Sequence, residues 1–177
     1  MLRTEMRNPN TYKIGEMSTV DILKTINREN ENVISAIDKT LAEIEMACDA
    51  VSEAIKNGGR VFYIGAGTSG RLGVCDAAEC PPTFGVPKDM FTGIIAGGYD
   101  CMHSAAENAE DDPNLSVEEL KKYNFNEKDI VIGVSASGSA AYVISAIRYA
   151  KEIGAKSGGT ESTSIKRVQM DDDLIKV

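Results

Sequence analysis

Two loops made of small and hydroxyl-bearing residues each follow a predicted strand and precede a predicted helix. The first is Gly65-Ala66-Gly67-Thr68-Ser69-Gly70 and the second is Ser135-Ala136-Ser137-Gly138. Backbone N–H groups at a helix N-terminus lack intrahelical partners, and the helix dipole favours an anion beside them. Hydroxyl side chains add further donors at both loops. The residues that we predict to bind a phosphate monoester and the sugar hydroxyls near it are Gly67, Thr68, Ser69, Gly70, Ser135, Ser137 and Gly138.

Two alternatives compete with phosphate binding at these loops. Gly65, Gly67 and Gly70 match the G-x-G-x-x-G pattern of dinucleotide-binding proteins, a weak signal when it stands alone. A dinucleotide site also needs an acidic residue at the end of the second strand, and here that strand ends Ile95-Ala96-Gly97-Gly98. The other alternative assigns no ligand: both loops would be tight turns whose serines cap the following helices.

Two glutamates are candidates for acid and base chemistry. Glu79 stands immediately before Cys80-Pro81-Pro82, where the first helix is predicted to end, and Glu110 belongs to the acidic stretch 107–112. A positioned carboxyl group can transfer a proton to or from a reacting atom. Composition and spacing do not pair the two residues, and each taken alone also fits a solvated surface carboxylate.

The composition indicates a globular cytoplasmic protein that binds neither nucleic acid nor membrane. The net charge of −8 disfavours both of those anionic partners. The four cysteines form no C-x-x-C pair and His103 is the only histidine, so we expect no metal site. The N-terminus lacks the apolar segment of a signal peptide, and no apolar run approaches the roughly 20 residues that span a bilayer.

The elements that must position these residues alternate along the chain. Apolar runs predict strands over 61–64, 90–96 and 129–134, and helices are predicted from about 69 to the two prolines, over 100–110, over 118–123 and over 140–153. This order predicts an α/β fold, a three-layer doubly wound parallel sheet. We expect an N-terminal arm with helices over 1–57, a sugar-phosphate-binding domain over 58–155 and an atypical tail over 156–177.

The N-terminal part contains one long amphipathic stripe. Apolar residues recur from Ile22 to Ile55 mostly at spacings of three and four, and Ser18 stands three residues before Asp21 in a capping arrangement. The pattern predicts one long helix or two consecutive helices beginning after Ser18. The stripe is expected to belong to the core or to a dimer interface.

Beyond these patterns, the chain resembles the N-acetylmuramic acid 6-phosphate etherases, which have the sugar isomerase (SIS) fold. The resemblance is strongest from Ile64 to Phe84, a string far more specific than the glycine pattern inside it. Shorter matches are Glu16–Thr19, Ala96–Gly98, Ala109–Asp112 and Ser135–Gly138, so the similarity extends from residue 3 to about 155.

The resemblance implies a cofactor-free lyase. Such enzymes cleave the D-lactyl ether of N-acetylmuramic acid 6-phosphate by elimination and hydration, giving N-acetylglucosamine 6-phosphate and D-lactate. Glu79 and Glu110 match the two catalytic glutamates of the family, without a decision as to which is the base and which the acid. The family also implies a homodimer with sites near the subunit interface and no metal.

Two departures from the family pattern keep other functions open. The family continues its second loop with Arg-Thr-Pro, whereas this chain has Ser139-Ala140-Ala141 before Tyr142, and residues 156–177 do not resemble the family's C-terminal region. The chain is therefore expected to lack that region. The alternatives are a non-catalytic sugar-phosphate-binding regulatory protein, an inactive fragment and, less consistent with Glu79-Cys80-Pro81-Pro82, an aldose–ketose isomerase.

Overall fold

The structure, a computed structural model, describes residues 6–105, 109–161 and 175–176. Its main elements are α1 (Thr19–Asp38), α2 (Leu41–Lys56), β1 (Val61–Gly65), α3 (Gly67–Phe84), β2 (Phe91–Ile95), α4 (Leu115–Lys122), β3 (Ile130–Ser135), α5 (Ala141–Glu152), β4 (Lys156–Glu161) and β5 (Ile175–Lys176). Short 3-10 turns cover Pro9–Thr11, Ile14–Glu16 and Tyr99–Met102.

The strands form one parallel sheet in the order β2-β1-β3-β4-β5. Strand β1 lies beside β3, with Gly65 paired to Val134. The loops that follow these two strands therefore leave the same edge of the sheet side by side. The described strands and helices confirm the predicted doubly wound α/β fold, in which ligands bind at the carboxyl ends of the strands.

Alternate residues of the central strands serve two separate cores, which makes the fold three-layered. Phe62, Ile64 and Val131 pack against apolar residues of α4 and α5 on one face. Val61 and Ile130 pack against α2 on the other face. Successive side chains of a strand point to opposite faces, so the continuous apolar runs that predicted these strands are explained by burial on both sides.

Helix α3 lies unusually close to β1 and β2 because glycines face each other across the contact. A Cβ atom on Gly70 would lie 2.6 Å from the carbonyl oxygen of Gly65 and 2.7 Å from Cγ1 of Ile95. A Cβ atom on Gly93 would lie 2.4 Å from Cα of Val74. The first turn of α3 is thus held against the end of β1. This contact sets the position of the first loop, Gly65–Gly70, relative to the sheet.

A buried ion pair joins the residues that precede β1 and β3. Asp129 is 2% exposed, and its carboxylate accepts hydrogen bonds from Nε and Nη2 of Arg60 at 3.2 and 2.8 Å. The backbone N–H groups of Arg60 and Asn126 also donate to it, at 2.8 and 3.0 Å. The carboxylate is therefore both paired and fully hydrogen-bonded, as a buried charge must be.

The predicted end of α3 at the two prolines is wrong. The helix contains Pro81 and Pro82 and ends at Phe84, where Gly85 takes a left-handed conformation with φ of 68° and donates to the carbonyl of Pro81. The prolines remove two N–H donors only in the last turns, and a C-terminal glycine completes the helix after them. Glu79 accordingly lies more than one turn before the helix end, not in its last turn.

Two other segments differ from expectation. The helix predicted over 100–110 is wrong, because the described part of this segment contains only the 3-10 turn Tyr99–Met102. No strand was expected at the glycine-rich start of the tail, yet Lys156–Glu161 forms β4 and pairs along its whole length with β3. Ile165, Val168 and Met170, whose spacing would allow a weak strand, lie outside the described residues.

The N-terminal stripe divides between two helices with different surroundings. The side chain of Ser18 caps α1 by accepting from the Asp21 N–H at 3.3 Å, as predicted. Helix α2 buries Ala50 and Ala54 against the sheet, whereas α1 buries none of its residues. The exposed apolar side chains of α1 are Val20, Leu23, Ile26, Val33, Ile34 and Ile37.

None of the helices in the described ranges is both long and apolar enough to cross a membrane.

Candidate functional site

The two predicted loops line one cleft at the carboxyl ends of β1 and β3. The cleft has a volume of about 310 Å³. Its lining residues are Ala66, Gly67, Thr68, Ser69, Glu110, Val134, Ser135, Ala136, Ser137 and Ala140. The structure therefore places five of the seven predicted binding residues and one of the two predicted catalytic glutamates around a single hollow.

The first side of the cleft is the N-terminus of α3, which has no side-chain cap. Its N-cap residue is Ala66, whose methyl group cannot accept a hydrogen bond. The first backbone bond of the helix runs from the Gly70 N–H to the Ala66 carbonyl at 3.4 Å. The N–H groups of Gly67, Thr68 and Ser69 precede that bond and are the donors that a capping group or ligand satisfies in other helices.

The second side is a hydroxyl-rich loop that hydrogen-bonds to itself. The Ser135 hydroxyl accepts from the Gly138 N–H at 3.0 Å, and the Ser137 and Ser139 hydroxyls lie 2.7 Å apart. Gly138 has a φ of 68°, a value that disfavours a side chain. Ser139, which replaces the arginine of the family pattern, thus belongs to the same hydroxyl cluster.

Neither helix at the cleft is capped by a serine. The N-cap of α5 is Ala140, and it makes no side-chain cap hydrogen bond. The alternative in which the loop serines cap α3 and α5 is therefore wrong. By contrast, Ser18 caps α1 far from the cleft. Helices α2 and α4 also lack a side-chain cap, so the missing caps alone do not mark the cleft; what marks it is that the N-termini of α3 and α5 line the same hollow.

Glu110 reaches the cleft because its backbone is attached to the first turn of α5. Its carbonyl oxygen accepts from the Tyr142 N–H at 3.0 Å, and its side chain is exposed. Tyr142 itself is fully buried, and its hydroxyl donates to Glu119 at 2.6 Å. Burial, reinforced by the Glu119 carboxylate, raises the pKa of Tyr142 well above its usual range, so the hydroxyl remains a donor. No sequence pattern predicted this hydrogen bond between Tyr142 and Glu119.

Three of the predicted site residues lie elsewhere. Gly70 and Gly138 do not line the cleft; they shape the loops through close packing and a positive φ. Glu79 is exposed on α3, ten residues beyond Ser69. At about 1.5 Å of rise per residue, its Cα lies roughly 15 Å along the helix from the cleft, too far for a glutamate side chain to reach.

Local donors, not cations, make the cleft suitable for an anion. No lysine or arginine is among its described lining residues. Two helix N-termini and the hydroxyls of Thr68, Ser69 and Ser137 supply donors instead. Within the described ranges, no three His, Cys, Asp or Glu side chains are grouped so that they could hold a metal ion.

Comparison with curated proteins identifies close relatives of known name. The chain is 50% identical over 168 residues to an N-acetylmuramic acid 6-phosphate etherase of Caldanaerobacter subterraneus subsp. tengcongensis, covering 95% of this chain and 55% of the relative. It is 54% identical over 157 residues to the etherase of that name from Clostridium botulinum (strain Eklund 17B / Type B), covering 89% and 52%. The chain thus spans about half the length of the curated relatives that it matches.

Solved structures support the fold at lower identity. A phosphoheptose isomerase from Francisella tularensis superposes with a TM-score of 0.67 at 23% identity, covering 90% of this chain and 85% of that one. The Neisseria gonorrhoeae enzyme of the same name gives 0.66 at 16% identity, with the same coverages. The family model "Glucokinase regulatory protein N-terminal SIS domain" matches residues 43–151. The chain therefore belongs to this family of SIS domains.

Proposed function

We propose that this protein is a lyase that cleaves the D-lactyl ether of N-acetylmuramic acid 6-phosphate in the cytoplasm, releasing D-lactate and N-acetylglucosamine 6-phosphate. The observation that carries the proposal is the cleft itself, where two helix N-termini without side-chain caps and Glu110 meet. The 50% identity to relatives named as etherases of this substrate supports the choice of reaction. Four cysteines present as free thiols are compatible with a reducing compartment.

In this proposal the phosphate dianion occupies the space between the two loops. On one side, the backbone N–H groups of Gly67, Thr68 and Ser69 and the hydroxyls of Thr68 and Ser69 donate to its oxygens. On the other side, the Ser137 hydroxyl donates. Charge-assisted hydrogen bonds of this kind are stronger than neutral ones. Ser135 holds the second loop in shape through its bond to the Gly138 N–H.

The reaction then needs a base and an acid but no cofactor. A carboxylate removes the C2 proton of the ring-opened aldehyde, the C3–O bond breaks with its electron pair on the lactate oxygen, and that oxygen is protonated. Water then adds across the resulting C2–C3 double bond, with hydroxide at C3 and a proton at C2. Glu110, exposed in the cleft, is one of the two groups, and Glu79 is the other.

Glu79 can serve this reaction only from a second subunit, because about 15 Å of helix separates it from the cleft of its own chain. We therefore propose a homodimer in which Glu79 enters the partner's cleft. The exposed apolar side chains of α1 give such a dimer a surface to bury, since apolar patches of this kind mark protein interfaces. Leu72 is 62% exposed and lies seven residues before Glu79, on the same helical face.

Mixing two inactive variants tests this arrangement. If Glu79 acts in the partner's cleft, a heterodimer of Glu79→Gln and Glu110→Gln chains contains one site with both glutamates. Random reassociation makes half of the dimers mixed, so we expect about a quarter of the wild-type rate of D-lactate release. Each variant alone should be inactive. If the mixture is as inactive as its components, the two glutamates do not act across subunits.

Removal of single hydroxyls tests the phosphate site. We expect Ser69→Ala and Ser137→Ala each to weaken binding of N-acetylglucosamine 6-phosphate by about 10- to 100-fold, the effect of losing a hydrogen bond to a charged group. Isothermal titration calorimetry measures this Kd. Ser52→Ala, an exposed serine of α2, is the control and should bind like wild type. Equal Kd values for all four proteins would place the phosphate elsewhere.

The overall proposal is tested by incubating the protein with N-acetylmuramic acid 6-phosphate and measuring D-lactate enzymatically. Catalytic release of D-lactate, lost in Glu110→Gln, supports a lyase. Tight binding of N-acetylglucosamine 6-phosphate without any release would instead indicate a sugar-phosphate-binding regulatory protein or an inactive fragment.

A further inference from the structure

Arg71 links the first loop to the segment that follows β2. It lies in the second turn of α3, one residue after Gly70, and its side chain is half-buried. Its Nε donates to the Met102 carbonyl at 3.2 Å, and its Nη2 donates to the Ser104 carbonyl at 3.2 Å. Both acceptors belong to the segment 99–104, which is anchored in the protein by Cys101, 7% exposed.

In the sequence, Glu110 follows Ser104 by six residues. On the far side, Glu110 is attached to α5 through the bond from the Tyr142 N–H to its carbonyl oxygen. Met102 and Ser104, which precede Glu110 in the sequence, are therefore bonded to α3, and residue 110 itself is bonded to α5. Helices α3 and α5 are also the two helices whose N-termini line the cleft. Each of them therefore carries candidate phosphate donors and is also bonded to the backbone at, or shortly before, Glu110.

An arginine beside an anion-binding loop would ordinarily be assigned to the phosphate. Here Arg71 does not line the cleft, and the planar fork of its guanidinium is directed at two backbone carbonyls. Carbonyl oxygens of a connecting segment need donors when no secondary structure supplies them. Arginine suits this task better than lysine, because its rigid fork can satisfy two acceptors at once.

We propose, on the basis of the lyase function above, that Arg71 is a positioning residue that sets the place of the Glu110 carboxylate relative to the phosphate site. Arg71 acts through the backbone of Met102 and Ser104 and does not touch the substrate. Loss of its two hydrogen bonds displaces the acid–base group while the phosphate donors stay in place. Loss of Arg71 is therefore expected to lower kcat and to leave binding of the sugar phosphate unchanged.

The test compares Arg71→Met and Arg71→Lys with Arg148→Met, which removes an exposed arginine of α5. We expect Arg71→Met to lower kcat for D-lactate release by about 100-fold, as a displacement of 1 Å can do, with an unchanged Kd for N-acetylglucosamine 6-phosphate. Arg71→Lys, which retains the charge and one donor group, should be intermediate. Arg148→Met should match wild type.

Two results would overturn the proposal. A Kd that rises in Arg71→Met as much as kcat falls would make Arg71 a phosphate ligand, and a kcat equal to that of Arg148→Met would leave it without a role. If the wild-type chain releases no D-lactate, the lyase proposal fails. Amide hydrogen exchange of peptides covering 99–105 then tests separately whether Arg71 holds this segment in place, the contact called here the Arg71 tether. Faster exchange in Arg71→Met than in Arg148→Met supports the tether, and equal exchange contradicts it.

Discussion

Glu110→Gln should lower kcat for D-lactate release by about 10²- to 10⁴-fold, the usual contribution of a positioned acid or base. The substitution keeps the shape of the side chain and removes its ability to exchange a proton. The backbone bond from Tyr142 that holds residue 110 does not involve its side chain, so the fold of the cleft should be preserved. Binding of N-acetylglucosamine 6-phosphate should therefore be unchanged.

Steady-state kinetics and calorimetry on the same protein samples separate these two effects. Glu127→Gln, which alters an exposed glutamate in the loop before β3, is the matched control and should behave as wild type in both. A Glu110→Gln variant that retains full kcat would remove this residue from the chemistry. A Glu110→Gln variant that no longer binds N-acetylglucosamine 6-phosphate would show that the carboxylate serves binding and not proton transfer.

The largest expected effect on stability comes from Arg60→Met. This change leaves the Asp129 carboxylate, 2% exposed, without its charged partner. Removing one member of a buried ion pair typically costs about 3–5 kcal/mol, because the remaining charge stays desolvated. The pair also joins the residues before β1 to those before β3, the two strands that present the cleft loops. Urea unfolding followed by circular dichroism measures the free energy of unfolding.

Lys156→Met provides the contrast for this measurement. Lys156 pairs with Glu53, but both side chains are largely exposed, at 43% and 63%. The lysine ammonium lowers the pKa of Glu53, yet solvent can replace the interaction when it is lost. We expect a much smaller change in the free energy of unfolding than for Arg60→Met. Equal losses in the two variants would mean that burial of Asp129 is not what makes its pair important.

The sheet could be predicted where the sequence pattern reflected burial on both faces. Val61–Gly65 and Ile130–Ser135 are apolar runs with turn residues after them, and both are strands. Lys156–Glu161 gave no such signal, because its Lys-Ser-Gly-Gly-Thr-Glu sequence is polar and rich in glycine. Its register comes from backbone hydrogen bonds to β3, a tertiary contact that local patterns do not contain.

The cleft could be predicted in part for a similar reason. Two strand-to-helix loops on a parallel sheet share an edge, so Thr68, Ser69 and Ser137 were predicted together and lie together. Glu79 was paired with Glu110 only through a family resemblance, and the length of α3 separates them within one chain. The Arg71 tether and the hydrogen bond between Tyr142 and Glu119 depend on contacts between residues more than 20 positions apart, which spacing cannot reveal.

The central claim is that the N-termini of α3 and α5 jointly bind a sugar phosphate. Its most direct test is a ¹⁵N–¹H NMR titration of the chain with N-acetylglucosamine 6-phosphate, with unphosphorylated N-acetylglucosamine as the control. We predict the largest amide shifts at Gly67–Ser69 and at 137–141, and almost none with the unphosphorylated sugar. Shifts confined to only one loop, located away from both loops, or equal for the two sugars would contradict the account.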